Sequence, residues 1–371
     1  MSERWSDQIQ FGEADERQQL RLRVGEKYFS VGPALHRILE QLKASDVSTD
    51  GAATLTFLQD RLPSGQAMQV QNQLLSFLVM PQTKQAFWQG LRRGFVKFPL
   101  LTPSEKLTAQ FRGRVITFPV LATAALCGLF AFWMAATHAA SLPQITTLDW
   151  KTLLALWIMV IVTTLIHELG HALVAAHYGI RTRSIGIALF FLQPAGYADI
   201  SDTWLSTRKV RIIAALGGFL FQLFPLGLSA LAWFFTRSDI FGLYAIINIG
   251  YFAINLIPFI RTDGYWLLAN LIREDNLINK SNVQWNTLLK ERGSIERLDT
   301  YNLMLAAYAA ISKVYIWGLY LYSFGTLLLL IRVRINPWIF AVTLPIGLSI
   351  LAVRMLLRAR QARLGLTKGL S

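Results

Sequence analysis

Five consecutive residues, His167-Glu168-Leu169-Gly170-His171, carry side chains whose types and spacing can do chemistry. In an α-helix, residues i and i+4 share a face, so His167 and His171 can ligate one metal ion. Glu168 then stands where a general base takes a proton from water, the arrangement of metal-assisted hydrolysis. The setting is part of the signal. The motif lies in the apolar stretch 152–179, and Glu168 is the only acidic residue between Thr152 and Gly196. A charge at the centre of a bilayer costs roughly 2.5–3.5 kcal/mol on insertion scales, so a carboxylate flanked by two histidines there calls for a partner. A polar cluster that only satisfies itself has no reason to be placed in hydrocarbon.

A catalytic zinc site takes three protein ligands, so the elements that position a third must be found. Six apolar segments approach the ~20 residues needed to cross a membrane: about 115–137, 152–178, 210–234, 240–260, 312–331 and 337–357. Lys and Arg mark cytoplasmic loops. The basic stretch before the first segment, the loop 180–209, the region 261–311 and the tail with Arg354, Arg358, Arg360, Arg363 and Lys368 all read as inside. Loop 138–151, with Lys151 alone, reads as outside, as does the short 235–239; Arg332 and Arg334 dissent. Segments two and four then run the same way. His167 and His171 fall in the inner half of one, and Asp263 falls at the inner end of the other, within NLIPFIRTDGYW (255–266). Asp263 is the candidate third ligand, reached through a helix broken near Pro258 and Gly264, which is tolerated where irregular backbone lines a buried cavity.

The 371-residue chain is 53% hydrophobic with a mean hydropathy of +0.40, as expected of an integral membrane protein with a polar portion. Its net charge of +14 sits between apolar segments, where it sets topology and meets anionic lipid, so nucleic acid is not an expected partner. The single cysteine, Cys127, excludes an intramolecular disulfide and a cysteine-based zinc framework, and reads as a small packing residue. Five histidines are too few for a multi-histidine di-iron oxidase. His36 reads as an ordinary histidine, His138 as an interfacial residue closing the first span, and His177 as a surface or tautomer-fixed group. No cleavable signal peptide is visible in the polar, acidic N-terminus, which places the first domain on the side of synthesis.

The chain divides into five parts. Residues 1–90 read as a winged-helix-like α+β cytosolic domain: a strand–turn–strand around Gly25-Glu26, a helix over 33–44 opened by Pro33, and two more helices over 52–62 and 64–79. Residues 91–114 form a basic, partly amphipathic connector for the membrane surface. Residues 115–271 are the membrane core, 272–311 a cytosolic segment, and 312–371 two C-terminal spans with a basic tail. The fold class is therefore mainly α, a polytopic bundle of about six spans behind a small cytosolic domain. The stretch 184–200 reads either as a membrane-associated hairpin that offers an edge strand to a peptide or as an amphipathic loop that only plugs the bundle.

The residues FPLLTPSEKL (98–107), HELGHALVAAHYG (167–179), QPAGYADISDTW (193–204) and NLIPFIRTDGYW (255–266) resemble the site-2 protease family of intramembrane zinc metalloproteases, in its bacterial peptide zinc metalloprotease branch. The resemblance covers roughly 95–270. It implies Zn2+ held by His167, His171 and Asp263, with Glu168 as general base and Asn255 as a hydrogen-bond partner for unwound substrate backbone. Here Pro258 is displaced from Asn255, and Thr262 rather than leucine precedes Asp263, a departure that bears mainly on Asn255. Tyr28-Phe29-Ser30-Val31-Gly32 with the helix after it resembles the RiPP recognition element, which implies leader-peptide capture by residues 1–90. The expected function is a zinc metalloendopeptidase of a bacterial inner membrane, with both termini cytoplasmic. It would act on a membrane-associated or ribosomally made precursor peptide, with the bilayer as its other partner. The competing expectation is a non-catalytic membrane scaffold that binds a leader peptide and passes it on. A transporter fits less well, because the spans show no internal repeat.

Overall fold

The computed structural model describes residues 9–12, 20–24, 27–45, 51–78, 95–142, 148–190, 193–290 and 299–332. The chain falls into two units, Met1–Asn276 and Leu277–Ser371.

The first unit begins with an antiparallel sheet in the order β1-β2-β3 (Ile9–Phe11, Leu20–Val24, Lys27–Val31), followed by helices α1 (Pro33–Ala44), α2 (Gly51–Gln59) and α3 (Ser64–Leu78). β2 pairs in register with both neighbours, Leu22 facing Phe11 on one side and Phe29 on the other. Alternation along β2 turns Leu22 and Val24 inward with Ile9, against Leu39 and Leu42 of α1. That small core also carries Phe57 and Val70 from the following helices. His36 is buried at its margin, edge-on to Phe11 at 4.7 Å. The sheet has one strand more than the sequence reading expected, because the three-residue β1 is too short to show a period.

A second sheet, in the order β4-β5-β6, is built from distant stretches: Phe95–Leu101, Ile185–Phe190 and Gln193–Ala198. β5 and β6 are the expected hairpin. β4 lies inside the stretch read as a connector, and pairs antiparallel with β5 from Phe95–Phe190 to Leu101–Ile185, with an irregularity between Pro99 and Leu101. Proline lacks an N–H for a second ladder, which suits β4 as an outer strand. The short helix α4 (Glu105–Phe111) follows, capped by the Ser104 side chain.

Four helices are long and apolar enough to cross a membrane: α5 (Phe118–His138), α6 (Trp150–His177), α7 (Arg208–Thr236) and α8 (Asp239–Leu256). They correspond to the first four expected spans. α6 is opened by Asp149, whose side chain accepts from the Thr152 N–H at 2.9 Å. α7 packs against α5, α6 and α8. Cys127 of α5 lies against α7 at Gly227, as the packing role expected. α8 stops at Leu256; a turn through Pro258 follows, and the chain restarts as α9 (Asp263–Leu271). The break expected around Pro258 is therefore present, and it puts Asp263 at the first position of a new helix.

The second unit contains α10 (Leu277–Lys290) and α11 (Thr300–Arg332), which pack together through Lys313, bonded to Asn282 at 2.5 Å. The expected span at 312–331 falls within α11, which is not one of the four qualifying helices; the one at 337–357 lies outside the described residues.

Candidate metal centre

α6 carries His167 and His171 on one face, buried to 1% and 5% exposure. Their companion is α7, and the two helices meet backbone to backbone. A Cβ added at Gly170 would lie 2.5 Å from the Gly217 carbonyl oxygen, and one added at Gly217 would lie 2.8 Å from that of Gly170. This close approach brings three residues of α7, each four apart and so on one stripe, onto the two imidazoles. The Ala214 carbonyl is 2.8 Å from His171 Nδ1. A carbonyl has no proton to give, so this shorter contact favours the His171 ring proton on Nδ1, although the Gly218 N–H also faces that nitrogen at 3.3 Å. Gln222 Oε1 lies 3.0 Å from His167 Nδ1, while Gln222 Nε2 donates to the Asn248 carbonyl of α8 at 3.3 Å. That second bond fixes which way the amide faces, so Gln222 accepts from His167 Nδ1–H.

Both rings therefore turn Nε2 lone pairs to one point. The two Nε2 atoms are 3.2 Å apart. Asp263 reaches the same point, with Oδ2 2.7 Å from His167 Nε2 and Oδ1 3.3 Å from His171 Nε2. Three acceptors converge with the ring protons committed elsewhere, a donor set that calls for a cation. Ligand atoms about 2.0–2.1 Å from one tetrahedral zinc are about 3.3 Å from each other. Two of the three separations match that value; the third, His167 Nε2 to Asp263 Oδ2 at 2.7 Å, is shorter, so these two atoms lie closer together than they would around an ion. Gly218, midway on the α7 stripe, supplies the room: a Cβ there would lie 2.4 Å from His167 Nε2 and 2.5 Å from His171 Nε2. The residues present fit zinc in ligand type, tautomer and space. Among the described residues, His167, His171 and Asp263 form the group able to hold a metal ion.

Glu168 is half-buried next to the cluster, within electrostatic reach of His171, His167 and Asp263, and packs against β6. Gly196 crosses α6 here, and a Cβ on it would lie 2.7 Å from both Glu168 Cγ and Thr164 Cγ2. The Ala198 backbone N–H bonds the Glu168 carboxylate. Asn255, in the last turn of α8, lies at the Tyr251 hydroxyl, and the Tyr251 ring is 6.4 Å from that of His167. His177 is no part of the cluster. Its Nδ1 faces the backbone N–H groups of Val115 and Ile116 at 3.2 Å each, fixing its tautomer. His138 closes α5 and packs edge-on against Trp233 at 4.9 Å.

Sequence reasoning missed the α7 stripe. A signal was present, since Gln222 is the only polar side chain between Arg211 and Ser229 of α7, and the question asked of Glu168 applies to it equally. It also missed Asp202, in the 3-10 turn Ser201–Leu205 after β6. Its Oδ1 accepts from Arg23 of β2 at 2.6 Å, from the Tyr28 hydroxyl of β3 at 2.6 Å, and from Arg183 at 3.0 Å. Burial disfavours its charge, but the Tyr28 bond and the Arg183 and Arg23 charges outweigh burial and hold the carboxyl below its ordinary range. Burial and the same carboxylate push the Tyr28 hydroxyl well above the ordinary tyrosine range. Arg21 adds an ion pair to Asp275 at 3.2 Å and lies over the Trp204 ring at 5.0 Å. The N-terminal sheet is thus fastened to the turn that leads out of β6.

Fold and site together define a class: a helical bundle of membrane-crossing dimensions with a buried site of two histidines and one carboxylate, and a glutamate beside it. Among curated proteins the chain is similar to "Putative peptide zinc metalloprotease protein YydH" of Bacillus subtilis, 27% identical over 141 residues. The match takes in 38% of this chain and spans 56% of that protein's length. No family model matches the chain, and no solved structure does.

Proposed function

We propose that the chain is an intramembrane zinc metalloprotease of the site-2 type, with His167, His171 and Asp263 as zinc ligands and Glu168 as general base. The observation that carries the reading is the convergence of two Nε2 lone pairs and one carboxylate on a single point, beneath a glycine and beside Glu168. The name of the Bacillus subtilis relative supports it. When bound, zinc supplies a Lewis acid that acidifies water and polarises a carbonyl.

The chain's own residues do the rest. Glu168 takes a proton from water as the water oxygen bonds to the scissile carbonyl carbon. It holds that proton on its carboxylate and delivers it to the leaving nitrogen as the C–N bond breaks; the second water proton, left on the new carboxyl group, passes to the amine, giving a carboxylate and an ammonium. A helical substrate hides its amides in internal bonds, so it must be unwound to be cut. β6, an outer strand of its sheet that crosses α6 at Glu168, suits an incoming peptide added as a further strand. Asn255, beside Tyr251, suits a hydrogen bond to that backbone.

The substrate is a membrane-associated or ribosomally made precursor peptide. The N-terminal module of three strands followed by three helices selects it, a leader peptide pairing with an outer strand of its sheet. The location is a bacterial inner membrane, with the N-terminal domain and the site on the cytoplasmic side. The test is Glu168→Gln in the full chain purified in detergent. Bound zinc stays at the level of the unaltered chain and cleavage of a co-expressed precursor peptide stops. Undiminished cleavage overturns the assignment of the base.

A further inference from the structure

We infer that Gln222 is the positioning residue of the zinc site: its carbonyl fixes the His167 tautomer and ring angle, so that Nε2 is the metal-binding atom. The inference rests on the zinc reading above. Gln222 is fully buried in α7, and both ends of its amide are used. Nε2 is tied to the Asn248 backbone carbonyl at 3.3 Å, which leaves Oε1 as the end that meets His167 Nδ1 at 3.0 Å. A side chain so held has one orientation, and the imidazole against it has one tautomer. His171 obtains the same service from the backbone, through the Ala214 carbonyl one stripe position away from Gly218. The two ligands therefore differ in how they can be perturbed. The His171 acceptor cannot be removed by substitution, whereas the His167 acceptor is a side chain. Metal-ligating histidines usually have their second ring nitrogen engaged in this way, and loss of such a partner costs 10–100-fold in metal affinity.

Two substitutions separate positioning from packing. Gln222→Met keeps the length and approximate volume of the side chain and removes both hydrogen-bonding ends. Gln222→Glu keeps an oxygen for His167 Nδ1–H and, as a carboxylate, gives up the donor to Asn248. The measurement is Zn2+ affinity of the full chain in detergent, by competition with a chromophoric chelator, accompanied by the visible spectrum of the Co2+-loaded protein. Positioning gives about 10–100-fold weaker zinc binding and an altered Co2+ spectrum for Gln222→Met, with Gln222→Glu restoring both. Zinc affinity in Gln222→Met equal to that of the unaltered chain overturns the inference. Equal losses in both variants overturn it as well, because they assign Gln222 to bridging α7 and α8. Failure of the unaltered chain to bind zinc overturns the metal reading itself, and is told apart from the other outcomes by being measured first.

Discussion

A single hydrogen on Gly218 separates a site with room for an ion from one without. A methyl there would lie 2.4 and 2.5 Å from the two Nε2 atoms, well inside non-bonded contact, so it takes the space where the ligands converge and pushes the imidazoles aside. Gly218→Ala is expected to abolish measurable zinc uptake, read by metal analysis of the purified protein, with helix content by circular dichroism unchanged. Asp263→Ala removes a ligand instead, and is expected to weaken zinc binding by a larger factor than Gln222→Met in the same competition assay. These residues were unequally legible in the sequence. His167, Glu168 and His171 announce themselves because they are costly in hydrocarbon. Asp263 could be placed at a depth by counting loop charges, but its approach to His167 needed the helix break at Pro258 to be built. Gly218 is invisible, since a glycine in a membrane helix has many reasons to be there, and only the imidazoles opposite show which one applies.

At the scale of elements, the node at Asp202 ties three strands together: β2 and β3 through Arg23 and Tyr28, and the entry to β5 through Arg183. Its carboxyl ionises more readily in the folded chain than the ordinary value near 3.9. Folded stability from this node is therefore complete above about pH 4 and is lost as pH falls through the depressed value. Limited proteolysis is expected to release the N-terminal domain faster below pH 4 than at pH 7. Asp202→Asn, which cannot become charged, is expected to show the faster release at both. Strands were the least legible elements. β4 contains Pro99 and Lys97 and sits among basic residues, so its composition points to a surface connector. What makes it a strand is β5, some 90 positions later, and pairing over that distance leaves no local pattern. β5 and β6 were readable because a hairpin is local. The four spans were readable because hydrophobic length is a property of the segment alone.

For the molecule as a whole, the loop charges supply a testable expectation of which way the bundle is inserted. The C-terminal end of α6 and the start of α9 lie together where His167, His171 and Asp263 meet, and the proposed function puts that end on the cytoplasmic side. In a Cys127→Ala background, a cysteine at exposed Asp239 is expected to react with a membrane-impermeant maleimide on intact spheroplasts. One at exposed Thr207 is expected to react only after permeabilisation. The reverse pattern would invert the topology. A consequence follows from α7, the helix that aims both imidazoles yet gives no ligand. It is gripped by α5, α6, α8 and α9 independently of any ion, through apolar faces and the Gly170–Gly217 contact. On the zinc reading, packing of the bundle is expected not to wait for the ion, which would enter a receptacle already formed. Chelation followed by zinc return is expected to restore activity without a refolding step, with far-ultraviolet circular dichroism constant throughout.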